Sequence, residues 1–270
     1  MAGRLEGKKA VVVGAGQTPG ETIGNGRAMA VLFAREGAEV LCVDRDLGRA
    51  QETVDLILAE GGVASAYAAD IVSAGQAEAN TAEARSRLGR LDVLVNNVGI
   101  GSSEKSGDGP AHHAGEEAYD RLMDVNLKGM WLTIKAAIPA MRDTRGGSII
   151  NISSLASIAG SNMVAYEVSK AGVNRLTLSV ASANAKYGLR CNAILPGLMD
   201  TPMAIDGVSR ATGRSTSETR ALRSARVPLN AAMGSGWDTA YAALFLASDE
   251  SKFITGVLLP VDGGMSARVG

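Results

Sequence analysis

Two side chains spaced one helical turn apart could together carry out acid–base chemistry. Tyr166 and Lys170 lie at positions i and i+4 of the stretch YEVSK, so a helix would place both on one face. A free tyrosine has a pKa near 10, so its ionisation at neutral pH requires a decrease of about 3 pH units, or roughly 4 kcal/mol. A nearby ammonium group can supply part of that decrease. The pair is a candidate general acid or base, although the same spacing is common on ordinary helix surfaces.

Further polar side chains lie where a substrate could meet this pair. The stretch SIINISSLAS indicates a buried strand that ends in the hydroxyls of Ser153 and Ser154. In open α/β sheets, ligands bind in the crevice beyond the carboxyl ends of the strands, so either hydroxyl could hold a substrate oxygen. Asn126 is expected within a helix in MDVNLKG, and the stretch NNVG ends another strand.

A glycine-rich stretch, GAGQTPGETIGNG from Gly14 to Gly26, joins an apolar strand to a helix-like segment. Such a turn can bind the pyrophosphate of a dinucleotide, because glycines let the backbone come close and the helix N-terminus supplies free N–H groups. The common GxGxxG template fails at Pro19, but Gly20, Gly24 and Gly26 satisfy GxxxGxG. We interpret the stretch as a nucleotide loop with the insertion QTPGET, the alternative being a plain surface turn.

Asp44 favours the nucleotide interpretation, because it ends the second strand 18 residues after Gly26. A carboxylate at this place accepts hydrogen bonds from an adenosine ribose diol. It would also repel a 2′-phosphate, so NAD is expected to be preferred over NADP. The neighbouring Arg45 leaves NADP open, because an arginine just past the strand can bind that phosphate.

The elements that must position these residues alternate along the chain. Strand-like runs such as EVLCVD, LDVLVNNVG and GVLLPVDGG are separated by segments with apolar residues at helical spacing. This alternation predicts a doubly wound, Rossmann-type α/β fold with a seven-stranded parallel sheet and helices on both faces. We expect one domain over residues 1–270. Residues of about 8–100 form mainly the cofactor-binding half and about 101–270 the catalytic and substrate-binding half, with a lid over about 203–228.

The composition excludes several other classes of protein. A net charge of −1 gives no reason to expect binding to nucleic acid or to an anionic membrane. No apolar run approaches the roughly 18 residues of a membrane span, and the N-terminal stretch lacks the core of a signal peptide. Cys42 and Cys191 each lie in an apolar, strand-like run, which favours two buried thiols and a cytoplasmic location.

Taken together, these motifs resemble the classical short-chain dehydrogenase/reductase family, from the glycine loop to the PVDGG stretch. The resemblance implies an NAD(P)-dependent oxidoreductase that transfers a hydride between a nicotinamide cofactor and a secondary alcohol, ketone or sugar hydroxyl. Tyr166 matches the catalytic tyrosine, and Lys170 the lysine that lowers its pKa and holds the nicotinamide ribose. Asn126 matches the asparagine that holds a water in the proton relay. Ser154 best matches the substrate-orienting serine, although the spacing in many members would select Ser153.

The resemblance also implies a set of cofactor contacts. The glycine loop would contribute Gly14, Gly20, Gly24 and Gly26, with Asp44 and Arg45 at the adenosine ribose. The remaining matched positions are Asp70 and Ile71 at the adenine, Asn96, Val98 and Gly99 at its ribose, Pro196, Gly197 and Leu198 at the nicotinamide, and Thr201 at the carboxamide. No metal site is expected. Family members usually form tetramers through paired long helices and the C-terminal strand, so we expect a homotetramer.

The substrate itself is left open by the sequence. The lid carries five arginines, which would suit an anionic substrate but are more typical of a solvated helix. The adjacent His112 and His113 could contact substrate or simply be exposed. One alternative is a 3-oxoacyl carrier-protein reductase, although the arginines that such enzymes present to the carrier protein are replaced by Leu132 and Tyr187. An alternative of another class is an NAD(H)-sensing protein without turnover, which would have no reason to keep the whole acid–base set.

Overall fold

The computed structural model describes residues 3–101, 107–144, 146–160 and 162–267. Seven parallel strands form one sheet, in the spatial order β3-β2-β1-β4-β5-β6-β9. These strands are β1 (Lys9–Val13), β2 (Glu39–Asp44), β3 (Val63–Ala68), β4 (Val93–Asn96), β5 (Gly147–Ile152), β6 (Leu189–Pro196) and β9 (Leu258–Val261). The predicted doubly wound parallel sheet is confirmed.

The helices follow the strands as the alternation predicts. They are α1 (Asn25–Arg35), α2 (Leu47–Ala59), α3 (Ala74–Leu88), α4 (Glu116–Met123), α5 (Gly129–Asp143), α6 (Val164–Asn184), α7 (Pro202–Thr212), α8 (Thr216–Ser224) and α9 (Gly236–Ala247). A π-helical turn, Asp124–Lys128, joins α4 to α5. Two short strands, β7 (Met199–Asp200) and β8 (Gly234–Ser235), pair in parallel and join the two ends of the segment that contains α7 and α8.

Two apolar layers hold the sheet between the helices. On one face, α1 and α9 pack against the sheet around Phe33 and Leu244, which are both 0% exposed. On the other face, α5 and α6 contribute side chains such as Ile134 and Val173. Because both faces of the sheet are covered, the central strands β1, β2 and β4 are near-continuous apolar runs, whereas the edge strand β3 is only partly buried. The predicted buried thiols are confirmed: Cys42 and Cys191 lie free in these layers, and burial raises the pKa of each to about 12.

The order of the strands determines where a ligand can bind. The direction of winding reverses between β1 and β4, which are hydrogen-bonded neighbours. Ligands of open α/β sheets bind at the carboxyl ends of the strands at such a reversal. The glycine loop after β1 and the NNVG turn after β4 both lie at this point. Among the described residues, no helix is both long enough and apolar enough to span a bilayer.

Candidate active site

Helix α6 presents the predicted pair on one face. The Lys170 Nζ atom lies 5.9 Å from the centroid of the Tyr166 ring. Lys170 is only 4% exposed, and its ammonium group donates a hydrogen bond of 3.0 Å to the carbonyl of Ile152, at the end of β5. The lysine is therefore held between α6 and the carboxyl end of a central strand.

The two candidate serines have different partners. Ser153 is buried, and its hydroxyl donates to the carbonyl of Lys170 at 3.0 Å, so it ties β5 to α6. Ser154 follows the strand in extended backbone, and its hydroxyl accepts from the backbone N–H of Ala156 at 3.1 Å and lowers the pKa of the Tyr166 side chain. The structure thus brings Ser154 to the tyrosine and gives Ser153 a structural bond.

Asn126 lies in the π-helical turn before α5 and is fully buried. Its side-chain oxygen accepts from the backbone N–H of Ile100 at 2.8 Å, and its amide group donates to the carbonyl of Ile100 and the hydroxyl of Ser169. Gly99 is the close neighbour of both polar groups: a Cβ there would lie 3.1 Å from the Lys170 ammonium and 3.4 Å from the Asn126 oxygen. The asparagine, the lysine and the turn after β4 therefore form one polar cluster.

The pKa of Tyr166 is set mainly by burial and not by the neighbouring lysine. Burial raises it, because a phenolate is disfavoured where water is excluded, and the hydrogen bond with Ser154 offsets only part of this effect. Burial also lowers the pKa of Lys170 to about 8, for the same physical reason applied to a cation. Proximity of the two groups on the helix does not by itself produce an ionised tyrosine.

Asp108 is a residue of this site that the sequence analysis missed. It is 2% exposed, and its carboxylate accepts from the backbone N–H groups of Ala165 and Tyr166 at 3.0 and 3.1 Å. These N–H groups belong to the first turn of α6 and have no partner within the helix, so Asp108 caps that helix. Asp108 lies 58 residues before Tyr166 in the sequence. A local signal exists: Met163 occupies the N-cap position and provides no side-chain acceptor.

The glycine turn after β1 is closely packed. Gly14 has a φ of +85°, and a Cβ on it would lie 2.9 Å from the backbone nitrogen of Val98. A Cβ on Gly26, in the first turn of α1, would lie 1.9 Å from the carbonyl oxygen of Gly14. Asn97 donates a hydrogen bond of 2.9 Å to that same carbonyl. Only glycine fits at these two positions, which bring the turn after β1, the turn after β4 and the start of α1 together.

The four predicted glycines do not lie in one place. Gly24 is the N-cap of α1, and no acidic residue lies in the first turn of that helix, which favours an anion there. Gly20 lies elsewhere: a Cβ on it would lie 2.7 Å from the Cβ of Pro202 and 2.7 Å from a carboxylate oxygen of Asp206, both in α7. The insertion carries Gly20 away from the helix start and against the lid.

Asp44 lies at the end of β2, beside the glycine turn. Its carboxylate accepts backbone N–H groups of Gly16 and Asp46, each at 3.1 Å, so it is held beside the glycine turn. Arg45 is exposed. Arg49, which sequence reasoning did not consider, packs its Cβ close to Gly16 and forms an ion pair with Asp46 at 3.2 Å.

The other predicted cofactor positions differ in whether their side chains are exposed or already bonded within the protein. The Asn96 side chain donates to Asn151 at 2.9 Å inside the sheet, so only its backbone is available to a ligand. Ile71 is buried and packs against Gly129, whereas Asp70 is exposed. Gly197 packs against the backbone of Asp262. The remaining predicted residues, Pro196, Leu198 and Thr201, lie on the path from the end of β6 to the start of α7.

The lid arginines differ in their surroundings. Arg220 forms ion pairs with Glu21 and Asp200, whereas Arg210 and Arg214 are exposed. Arg223 is half-buried, and its Nε atom has no hydrogen-bond partner among the described residues. The solvated helix face that the sequence favours therefore describes only part of the lid.

Two adjacent histidines lie in the segment before α4. His112 and His113 are exposed, and their ring centroids lie 4.3 Å apart. Residues 102–106 of the same segment lie outside the described residues.

Comparisons with known proteins agree with this geometry. The family described as "Enoyl-(Acyl carrier protein) reductase" matches residues 21–266. The chain is 36% identical to 2-(S)-hydroxypropyl-CoM dehydrogenase 3 of Xanthobacter autotrophicus, over 99% of this chain and 100% of that protein. It is 35% identical to a 3-oxoacyl-[acyl-carrier-protein] reductase of Thermotoga maritima, over 97% and 99%.

A solved structure shares the same architecture. It is carveol dehydrogenase of Mycobacterium avium in complex with NAD, with a TM-score of 0.88, 29% identity, and coverage of 98% of this chain and 100% of that one. The chain thus belongs to the short-chain dehydrogenase/reductase family and is an NAD(P)-dependent oxidoreductase acting on an alcohol or ketone.

Proposed function

We propose that Tyr166 is the general acid/base of this enzyme and that Ser154, Lys170 and Asn126 assist it. The observation that carries the proposal is the placement of Tyr166 and Lys170 on one face of α6, with Ser154 close enough to lower the pKa of Tyr166. Ser154 orients the substrate oxygen, and Tyr166 removes its proton during oxidation or donates one during carbonyl reduction. The nicotinamide of the cofactor supplies the hydride chemistry when it is bound.

Lys170 is well suited to pass a proton onward. With a pKa of about 8, it changes its protonation state close to neutral pH. Its neighbour across Gly99 is the Asn126 oxygen, and Asn126 in turn contacts the backbone of Ile100. We infer a proton path from Tyr166 through Lys170 to this cluster. The decrease in the pKa of Tyr166 that catalysis needs then comes from the positive charges of Lys170 and the oxidised cofactor together, against the effect of burial.

We infer that the cleft takes NAD in preference to NADP. The close-packed Gly14 and Gly26 and the start of α1 at Gly24 fit a pyrophosphate. Asp44 is already held beside this turn by two N–H groups, and its carboxylate would accept from both ribose hydroxyls. A 2′-phosphate would be repelled by this carboxylate, because both groups are negatively charged. Next to Asp44 in the sequence, only the exposed Arg45 carries a positive charge that could offset the repulsion.

A second candidate activity is 3-oxoacyl carrier-protein reduction, which the Thermotoga maritima relative favours. Against it, Leu132 is 8% exposed and so offers no docking group, and Tyr187 lies under the guanidinium of Arg142 at 4.1 Å. Lys186 remains beside Tyr187 as a possible contact for an acidic carrier. Turnover of a 3-oxoacyl thioester that does not improve when carrier protein replaces a small thiol would count against this activity.

We also propose a cytoplasmic homotetramer. The two buried thiols fit a reducing compartment. Large apolar side chains are exposed on α5 and in the turn before β9, including Trp131 at 45% and Phe253 at 101%. Light scattering at micromolar concentration should give about four times the mass of one chain, and a monomer would contradict the proposal.

The catalytic proposal is tested with Tyr166→Phe, which removes the transferable proton and keeps the ring. We expect NADH binding to persist while kcat falls by about 10³-fold or more on the best substrate from a screen of alcohols and sugars with NAD. Tyr241→Phe is the matched control, because Tyr241 is 58% exposed on α9 and should change neither quantity. A near-normal rate for Tyr166→Phe would refute the mechanism, and NADH binding without turnover of any substrate would favour a sensor.

A further inference from the structure

The inserted loop, residues 17–22, is folded back on itself by one side chain. The Gln17 amide oxygen accepts from the backbone N–H of Gly24 at 2.7 Å, and its amide nitrogen donates to the carbonyl of Thr22 at 3.1 Å. The Gln17 side chain thereby joins both ends of the insertion beside Gly24, the N-cap of α1. The position of the loop is thus tied to the part of the cleft that we assign to the pyrophosphate.

The far side of the same loop contacts the lid. The close approach of Gly20 to Pro202 and Asp206 brings the loop backbone against the first turns of α7. The hydroxyl of Thr22 donates to a carboxylate oxygen of Asp200 at 3.4 Å. The insertion therefore fills the space between the start of α1 and the start of the lid.

Arg220, on α8, joins the two parts by ionic contacts. One terminal nitrogen of its guanidinium lies 2.8 Å from a carboxylate oxygen of Glu21 in the loop. Its Nε atom lies 3.1 and 3.3 Å from the two carboxylate oxygens of Asp200 at the end of β7. The Arg220 and Asp200 side chains are 28% and 27% exposed, so this pair is partly shielded from water, whereas Glu21 is 73% exposed.

We propose that Glu21, Arg220 and Asp200 form a clasp that holds the lid closed over the cofactor cleft. Asp200 precedes Thr201, which we place at the carboxamide, and Glu21 belongs to the loop that ends at Gly24. The clasp therefore connects the two ends of the proposed cofactor site through α8. A planar guanidinium can donate hydrogen bonds to two carboxylates at once in fixed directions, whereas a lysine ammonium acts as a point charge without such fixed directions. The inference rests on the proposed cofactor site, and these three residues are positioning residues.

The first test uses the protein without cofactor. In Arg220→Gln, hydrogen exchange of the α8 amides should accelerate by about fivefold, the factor that corresponds to a surface ion pair of ~1 kcal/mol. Glu21→Gln should give about a twofold effect, because the pair is exposed and the Asp200 contact remains. Arg210→Gln is the matched control: it removes the same charge from an exposed lid arginine that has no ion-pair partner among the described residues. Exchange in the Arg220 variant equal to that of the control would overturn the clasp.

The second test measures release of NADH by stopped-flow fluorescence. The dissociation rate constant should rise by about fivefold in Arg220→Gln and about twofold in Glu21→Gln. The double variant should release NADH no faster than Arg220→Gln alone, since Glu21 acts only through the arginine. Arg220→Lys should recover part of the loss. Additive effects in the double variant, or equal effects in Arg210→Gln, would contradict the proposal. Wild-type protein that does not bind NADH would contradict the proposed cofactor site instead, while the exchange experiment would still test the clasp.

Discussion

Replacing Lys170, which we propose assists catalysis, should make the fold more stable while it abolishes activity. Lys170 is 4% exposed and lacks an ion-pair partner within the described part of the chain. Burial lowers its pKa from 10.5 to about 8, which corresponds to roughly 3 kcal/mol of unfavourable free energy while the folded protein keeps it charged. Methionine has a similar unbranched stem and needs no partner. Lys170→Met removes this cost.

The net gain is smaller, because one hydrogen bond is lost. The carbonyl of Ile152 accepts from the Lys170 ammonium, and leaving it without that donor costs about 1 kcal/mol. We therefore expect Lys170→Met to unfold with a free energy about 2 kcal/mol higher than wild type near pH 6.5.

The effect has a defined pH dependence. The folded pKa of Lys170 lies below the unfolded one, so between pH 8 and 10.5 the folded state binds fewer protons and wild-type stability rises with pH. The advantage of Lys170→Met should therefore shrink by about 2 kcal/mol between pH 6.5 and 9.5 and nearly vanish at the upper value. The raised pKa of Tyr166 changes the free energy of unfolding only above pH 10, the pKa of an unfolded tyrosine, which is outside this range.

Urea unfolding without cofactor measures this, at one protein concentration and at pH values of about 6.5, 8 and 9.5. Lys252→Met is the matched control, because Lys252 is exposed and should show no such change with pH. A Lys170→Met variant that is less stable than wild type by the same amount at every pH would refute the reasoning. That result would mean that the lysine is a net stabilising hydrogen-bond donor.

Two further predictions concern positioning and specificity. Asp108→Ala should lower the free energy of unfolding by about 2 kcal/mol, since two N–H groups of α6 lose their acceptor, and calorimetry measures this. The same variant should reduce kcat far more than NADH affinity in steady-state kinetics. An unchanged kcat would show that Asp108 is not a positioning residue. Wild type should favour NAD over NADP by roughly a hundredfold in kcat/KM, and Asp44→Ala should lose most of that bias. A wild-type preference for NADP would show that Arg45 or the inserted loop controls the pocket.

The part of this protein that could be predicted from the sequence is the part that depends on local pattern. The apolar runs indicate central strands of a covered parallel sheet, because strands that are buried on both faces must be apolar along their whole length. The spacing of Tyr166 and Lys170 places them on one face of a helix, because a helix turns once in 3.6 residues. The position of Asp44 at the end of β2 follows from the apolar run EVLCVD, which ends at this residue.

Other features required the tertiary structure, because they join residues that are distant along the chain. Nothing near Asp108 indicates that it caps α6, since that contact depends on how the segment before α4 folds over α6. The choice between Ser153 and Ser154 depends on which hydroxyl faces Tyr166 at the end of the strand. Spacing in the sequence differs by only one residue there, and only the packing of β5 against α6 decides it.

The insertion shows the same division most clearly. By itself, the sequence determined that glycines of the right spacing follow β1 and that an extra stretch interrupts them. It did not determine that Gly20 would leave the glycine pattern and meet Pro202, or that Glu21 would reach Arg220 nearly 200 residues later. Local spacing specifies backbone conformation, whereas contacts between separate loops depend on the crossing of the whole sheet, which brings the carboxyl ends of β1 and β6 to one edge.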